Sequence, residues 1–409
     1  MSVPTKIQIE KISKDYKGVV VLDGKKCFID DVVIGDVVNI DIYKENSKYC
    51  LARVTNFLKK SDNRSLNCEC EYCNCGGCDL EYLSENYYYN LKSDILYSEI
   101  IKNFPYFDRN SLKIFKVGYG RRRRVSLNYK DGFFGFFKKG SNDIVCIRKC
   151  INVVDDINLL IEKLSNLKLK NLSSVDITKV DNGLILNFNF FSNFDINEFK
   201  KIDYLKEYSI LISYRIDGFK PIRYYCKEEP ILKLKNKNII VPEVCFLQAT
   251  KESQDFMINV VCESLDSCKR VADLYCGVGT YSFPLSEKSR VFSFEGDELM
   301  INSINKNLFK SKIIVSRRDL FRQPLICSEL NEFDGLVINP PRNGSENQCK
   351  FIAKSNVEKV VYISCSIDAF IRDTKFFADN YRLIDLYIVD QFYMSKHFEI
   401  IGIFNYIKR

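Results

Sequence analysis

Three short segments combine residue types that could do chemistry: Asn339-Pro340-Pro341-Arg342, Ser364-Cys365-Ser366 and His397-Phe398-Glu399. The first two follow runs of apolar residues that read as strands, so both fall at strand ends. Most cysteines in proteins are small buried hydrophobes, and this chain has seventeen. A thiol at a strand end in a ligand crevice is different, because it can attack a substrate. The chemistry that most needs such a thiol is methylation of an unreactive ring carbon. Addition of a thiolate to C6 of uracil turns C5 into a nucleophile, which is covalent catalysis. A base must then remove the C5 proton so that the thiol can leave. Glu399, beside the only histidine, His397, can serve if desolvation raises its carboxyl pKa. The Asn-Pro-Pro turn also suits methyl transfer to an exocyclic amine, a reaction that needs neither Cys365 nor Glu399.

Either reaction needs a methyl donor. Residues 273–280, Asp-Leu-Tyr-Cys-Gly-Val-Gly-Thr, lie where a strand should turn into a helix, and Gly277 and Gly279 allow the backbone to approach a ligand. A dinucleotide fingerprint would have a third glycine at position 282, which is Ser. The next strand ends at Glu295, whose carboxylate can accept from two ribose hydroxyls, and Asp319 follows the third strand within reach of an adenine amino group. Together these features favour S-adenosylmethionine.

The charge is uneven. Residues 111–150 hold eleven Lys or Arg against two Asp, a concentrated basic block of the kind that binds a polyanion. Arg121, Arg122, Arg123 and Arg124 lead into a strand-like run, so they are expected to project to both faces, at least half of them toward RNA phosphates. Tyr119, Tyr129 and the Phe residues of 133–137 are available for stacking on bases. Five cysteines fall within residues 68–78, dense enough to suggest a metal site in a reducing compartment. The N-terminus has no signal-peptide pattern, and no apolar run approaches a membrane span. A cytoplasmic protein without a membrane association is expected.

The elements that must position these groups form three regions. Residues 1–60 read as five short strands, at 6–12, 18–22, 26–29, 36–43 and 49–57, suiting a small OB-like barrel. Residues 61–240 begin with the cysteine cluster and a helix over 87–101, then become mostly β and basic. From 241 to 409 strands and helices alternate, as in a doubly wound α/β fold. Strands are expected at 270–275, 290–294, 312–315, 335–338 and 359–364, with a closing hairpin of 381–389 and 399–406 at one edge.

Residues 273–279, 339–342, 364–367 and 397–399, together with Phe246-Leu247-Gln248, resemble the motifs of the RNA 5-methyluridine methyltransferases. The resemblance extends over nearly the whole chain and is to the 23S ribosomal RNA branch with a TRAM domain and an iron-sulfur cluster. It implies a Rossmann-like methyltransferase domain preceded by a TRAM barrel and a β-rich central domain. It also implies Cys365 as nucleophile, Glu399 as proton acceptor, and cofactor contacts from Gln248, Tyr275, Thr280, Glu295, Asp319 and Asn339. A 4Fe-4S cluster is implied on Cys75, Cys78 and Cys150, with Cys70 as the first ligand and Cys68 or Cys73 as alternatives. Two positions depart from the family: Asn339 stands where Asp is usual, and Ile367 where Pro is common. The expected protein is a monomer acting on RNA, most simply 23S rRNA. Methylation of transfer RNA, methylation of an exocyclic amine and RNA binding without catalysis are the alternatives.

Overall fold

The computed structural model describes residues 6–65, 69–72, 75–192 and 195–407. They fall into two compact units, one of residues 1–73, 77–99 and 394–396 and the other holding the rest of the chain.

The first unit contains a five-stranded sheet of Lys6–Gln8, Gly18–Leu22, Lys25–Ile29, Val37–Glu45 and Tyr49–Lys59. Alternation along these strands buries Ile7, Ile9, Cys27, Ile29, Val32, Val38, Cys50 and Ala52 in one cluster. The expected strands are all present; Gly18–Leu22 keeps its expected ends and the other four shift. Buried Asp36 closes this sheet's loops: its carboxylate receives the N–H groups of Val33 and Ser61 and the Arg64 guanidinium. The helix Glu85–Ile100 belongs to the same unit, apart from its last residue.

The second unit carries two large sheets. Seven strands in the order Ile222–Cys226, Leu211–Ile216, Gly183–Phe190, Leu172–Val180, Arg124–Lys130, Phe133–Phe137 and Ile144–Cys146 form the basic, β-rich part. The other sheet has eight strands, ordered Ile313–Arg317, Arg290–Glu295, Arg270–Leu274, Gly335–Ile338, Lys359–Ser364, Glu399–Tyr406, Tyr381–Asp390 and Leu112–Lys116. Its first five members are parallel, so their carboxyl ends share one edge. The near-continuous burial of Val271, Ala272, Leu274, Leu336, Val337, Val360 and Val361 reflects a sheet covered on both faces.

Two expectations change here. The 381–389 hairpin is not at the edge, because Leu112–Lys116 pairs in parallel with Tyr381–Asp390 beyond it. That eighth strand comes from the region read as the central domain. Its five residues, LKIFK, carry no signal of which sheet they will join.

Candidate active site

The chain leaves Arg270–Leu274 toward one side of the sheet, through Arg290–Glu295 to Ile313–Arg317, and returns to the other side at Gly335–Ile338. The order therefore reverses between Arg270–Leu274 and Gly335–Ile338, and at such a switch point the loops diverge and leave a crevice at the carboxyl edge. Tyr275 begins the turn there with φ +61°, a conformation uncommon for a residue with a side chain. Gly277 and Gly279 follow at φ +55° and +87°, and a Cβ at Gly279 would stand 2.8 Å from the Phe283 ring. The helix after the turn, Ser282–Leu285, is a single turn. It is too short to present the aligned N–H groups and dipole that hold a pyrophosphate, which fits a cofactor without phosphates.

Carboxylates surround this turn. Glu295 accepts the Gly277 N–H at 3.0 Å on one oxygen and the N–H groups of Gly296 and Asp297 at 2.7 and 2.9 Å on the other. Its carboxylate is thus held rigidly at the strand end, with lone pairs left for hydroxyl donors. Asp319 is exposed and takes the N–H groups of Phe321 and Arg322. The Phe321 ring lies 5.3 Å from that of Tyr275. Asp273 is fully buried and receives Ser282 Oγ at 2.5 Å, while its Oδ1 has no hydrogen-bond partner among the described residues. Burial raises the Asp273 carboxyl to about 7, with Ser282 opposing the shift. A buried acceptor without a donor suits a cationic or N–H-bearing ligand, and these residues fit S-adenosylmethionine. Thr280 is half-buried beside them.

The Asn339–Ser345 loop is tied down from behind. Asn339 donates its N–H to Leu274 O, and Tyr275 Oη lies 2.6 Å from Ser345 Oγ. Buried Asp373 accepts the Ser345 N–H and the Tyr362 hydroxyl, each at 2.6 Å, and Arg372 reaches Asn343 O at 2.7 Å. This network was not legible in the sequence, since its members come from separate elements.

Cys365 follows directly on Lys359–Ser364, and Ser366 caps the next helix by accepting the Ala369 N–H. Glu399 opens an antiparallel strand in which Ile400 pairs with Ser364. Cys365 stands one residue beyond that last pair and Glu399 one residue before Ile400, so the two adjoin at the end of the ladder, where the Glu399 charge acts on the Cys365 thiol. Glu399 is 5% exposed, and burial pushes its carboxyl up to about 7, against the hydrogen bond from Gln391. Half-buried Cys365 is also pushed above the ordinary thiol value, first by desolvation and then by the Glu399 charge, while Arg342 opposes both. Gln248, 3% exposed, lies in the same network, because Gln391 Nε2 donates to Gln248 Oε1 at 2.8 Å and to Glu399 Oε1 at 3.0 Å. Buried Tyr281 lies close enough for the Glu399 charge to act on its hydroxyl, and it, Arg342 and Gln391 are members that sequence reasoning missed. Arg342 was quoted only as part of a motif, and the other two sit in no motif.

The arginine run needs correction. The strand starts at Arg124, and Arg123 is buried, donating to Gln248 O at 2.9 Å and Gln254 Oε1 at 2.6 Å. Burial pulls the Arg123 guanidinium down to about 10. Arg124 donates to Leu247 O. These two side chains therefore brace the Phe246-Leu247-Gln248 segment rather than alternating over a surface. Arg122 lies over the Phe392 ring, and exposed Arg121 pairs with Glu252 at 3.3 Å. Arg123→Met should accordingly destabilise the fold by about 1–3 kcal/mol, since it strands buried acceptors. Urea denaturation checks this, and an unchanged midpoint with weakened RNA binding would contradict it.

Cys70 and Cys78 belong to the first unit, and Cys75 and Cys150 to the second. Cys68 and Cys73 lie outside the described residues. Among the described residues, no group of three or more His, Cys, Asp or Glu stands where it could hold a metal ion. The described residues on their own thus do not make a cluster site. Cys150 is nonetheless fixed in place, exchanging two hydrogen bonds with the Asn158 amide. Among the described residues, no helix is long and apolar enough to cross a membrane.

The tRNA (uracil-5-)-methyltransferase family model matches residues 124–406. An uncharacterized RNA methyltransferase of Rhizobium meliloti is 25% identical over 97% of this chain and 98% of its own length. The 23S rRNA (uracil(1939)-C(5))-methyltransferase RlmD of Aliivibrio salmonicida is 26% identical over 97% and 95%. In fold, the chain is similar to the tRNA (uracil-54, C5)-methyltransferase of Pyrococcus abyssi, solved with S-adenosyl-L-homocysteine. That likeness has a TM-score of 0.75 at 18% identity and covers 98% of this chain and all of that one. With the family match spanning well over half of the chain, the protein belongs to the tRNA (uracil-5-)-methyltransferase family and is an S-adenosylmethionine-dependent RNA methyltransferase acting at uracil C5.

Proposed function

We propose that the chain methylates C5 of a uridine in 23S rRNA through a transient bond between Cys365 Sγ and C6 of the base. The observation that carries this reading is the nearness of Cys365, one residue past the end of its strand, to buried Glu399, whose charge acts on the Cys365 thiol at the edge where the glycine turn lies. Cys365, as thiolate, adds to C6, and the electron pair of the C5–C6 double bond is displaced toward C5 and the C4 carbonyl. C5 takes the electrophilic methyl group that S-adenosylmethionine would supply, the S–CH3 bond breaking with its electron pair kept on sulfur, so that S-adenosylhomocysteine leaves. Glu399 then takes the C5 proton, the double bond re-forms, and Cys365 leaves from C6. Gln248, Tyr275, Gly277, Gly279, Thr280, Glu295, Asp319 and Asn339 are assigned to the cofactor. Asn339 can donate as well as accept, unlike the Asp usual there.

The target base must leave its stack to reach the crevice. Arg121 and Arg122 remain candidates for RNA contact. So do exposed Phe133 and Phe137, on a strand flanked by Lys130, Lys138 and Lys139. The small N-terminal sheet is assigned as a TRAM-type RNA-binding domain. The ribosomal substrate rests on the near full-length likeness to the Aliivibrio enzyme, whereas the likeness to the Pyrococcus transfer RNA enzyme supports the fold. The protein is placed in the cytoplasm as a monomer. Mapping 5-methyluridine in RNA from cells with and without the gene tests the substrate. Loss of one 23S uridine modification is expected, and loss confined to transfer RNA would replace the ribosomal assignment.

A 4Fe-4S cluster held by Cys75, Cys78, Cys150 and one of Cys68, Cys70 or Cys73 belongs to the proposal on the strength of cysteine density and resemblance. Protein purified without oxygen should be brown, with iron and sulfide in near-equal amounts. Stoichiometric zinc without iron would remove the cluster from the proposal.

A further inference from the structure

Gln391 lies in the connection between Tyr381–Asp390 and Glu399–Tyr406, outside every motif read from the sequence, and is 2% exposed. Its side chain makes three hydrogen bonds. Oε1 accepts the Ala249 N–H at 2.7 Å, and Nε2 donates to Gln248 Oε1 at 2.8 Å and Glu399 Oε1 at 3.0 Å. A carboxamide has one accepting and one donating end. Here the accepting end meets an N–H and the donating end meets two oxygens, so a flipped amide would lose all three bonds.

This fixed amide sets the state of both neighbours. Gln248 Oε1 is occupied, which fixes the Gln248 amino group as its donating end, beside the Tyr281 hydroxyl. Glu399 receives a proton donor in a site that otherwise disfavours its charge. A hydrogen bond to the charged form of a buried carboxyl keeps it usable as a base near neutral pH.

We propose that Gln391 is a positioning residue that couples the two halves of the reaction centre, orienting Gln248 toward the cofactor and holding Glu399 ready to take the C5 proton. The proposal rests on the reading of Glu399 as base and Gln248 as cofactor contact. Among the described residues, Cys365, from the neighbouring strand end, and Tyr281, after the glycine turn, are titratable groups that face Glu399. Arg342 in turn faces Cys365, and Asp273 faces Tyr281. None of them is altered by substituting Gln391.

Two variants separate this role from simple packing. Gln391→Met keeps the length of the side chain and removes its hydrogen bonds. Gln391→Glu keeps an acceptor for the Ala249 N–H but sets a second carboxyl against Glu399. S-adenosylmethionine binding is measured by calorimetry without RNA, and proton release from C5-tritiated RNA is followed in single turnovers across pH. Both variants should bind the cofactor roughly tenfold more weakly, the loss of about one hydrogen bond. The rising limb of the pH profile should move to higher pH in the Met variant and further in the Glu variant. Folded variants with wild-type cofactor affinity and an unmoved limb would overturn the proposal, as would a loss of rate equal at every pH. If Gln391→Met does not fold, Gln391→Glu carries both readouts. A wild-type profile with no limb near neutrality, or an active Glu399→Gln protein, would instead overturn the reading of Glu399. The calorimetric arm would still judge the link to Gln248.

Discussion

Cys365→Ala should abolish methyl transfer to RNA while leaving S-adenosylmethionine binding within about twofold of wild type. The reason is chemical: without addition at C6, uracil C5 carries too little electron density to take a methyl group. The residue is half-buried and contributes little to the core, so thermal stability should barely change, and the loss can be assigned to chemistry. Its position also explains how one thiol among seventeen cysteines is singled out. Burial, and then nearby carboxylates, push the Cys276 and Cys349 thiols well above the ordinary value. Cys365 is only partly desolvated and is faced by Arg342, which favours its thiolate. Calorimetry with the cofactor and a methyl-transfer assay with a structured RNA fragment check the prediction. Retained turnover would refute it.

Glu399→Gln should fail differently. Thiolate attack and methyl transfer remain possible, but the C5 proton has no acceptor, so turnover falls by about 10²–10⁴-fold and a methylated enzyme–RNA adduct accumulates. With labelled S-adenosylmethionine, the label should enter a complex that survives denaturation. In the wild-type protein the rate should rise with pH through about 7, where the Glu399 carboxyl loses its proton. Stability runs the opposite way. The folded-state pKa lies above the ordinary 4.5, so burying Glu399 costs nothing below 4.5 and becomes progressively destabilising as pH rises through about 7. Glu399→Gln removes this penalty and should stabilise the protein at pH 8 by about 1–3 kcal/mol, with little change at pH 4. Denaturation midpoints at the two pH values check the sign. A base charged against its buried surroundings should thus make the active enzyme less stable than its inactive variant above about pH 7.

The parts of this account that were legible in the sequence are those written in local pattern. Gly335–Ile338, Lys359–Ser364 and Glu399–Tyr406 have the expected ends, because apolar runs bounded by turn residues are readable without knowing their neighbours. Cys365 and Glu399 could be singled out because each opens or closes such a run. What was not legible depends on partners distant in the chain. Leu112–Lys116 joins the methyltransferase sheet through pairing with Tyr381–Asp390. Arg123, in a run that reads as a basic surface, is drawn inside because Gln248 O and Gln254 Oε1 offer its guanidinium acceptors. Gln391 is an unremarkable residue until Ala249, Gln248 and Glu399 are placed around it. Hydrophobic periodicity decides elements, whereas polar satisfaction in the interior decides which charged and amide side chains serve the site.

The most direct test of the central claim is to react wild-type protein with S-adenosylmethionine and a 5-fluorouridine-containing RNA fragment, then digest and sequence the linked peptide by mass spectrometry. Fluorine cannot leave C5 as a proton does, so the reaction should stop with the base methylated at C5 and joined through C6 to Cys365. A bond to any other residue, or no bond together with methyl transfer to an exocyclic nitrogen of ordinary RNA, would contradict it.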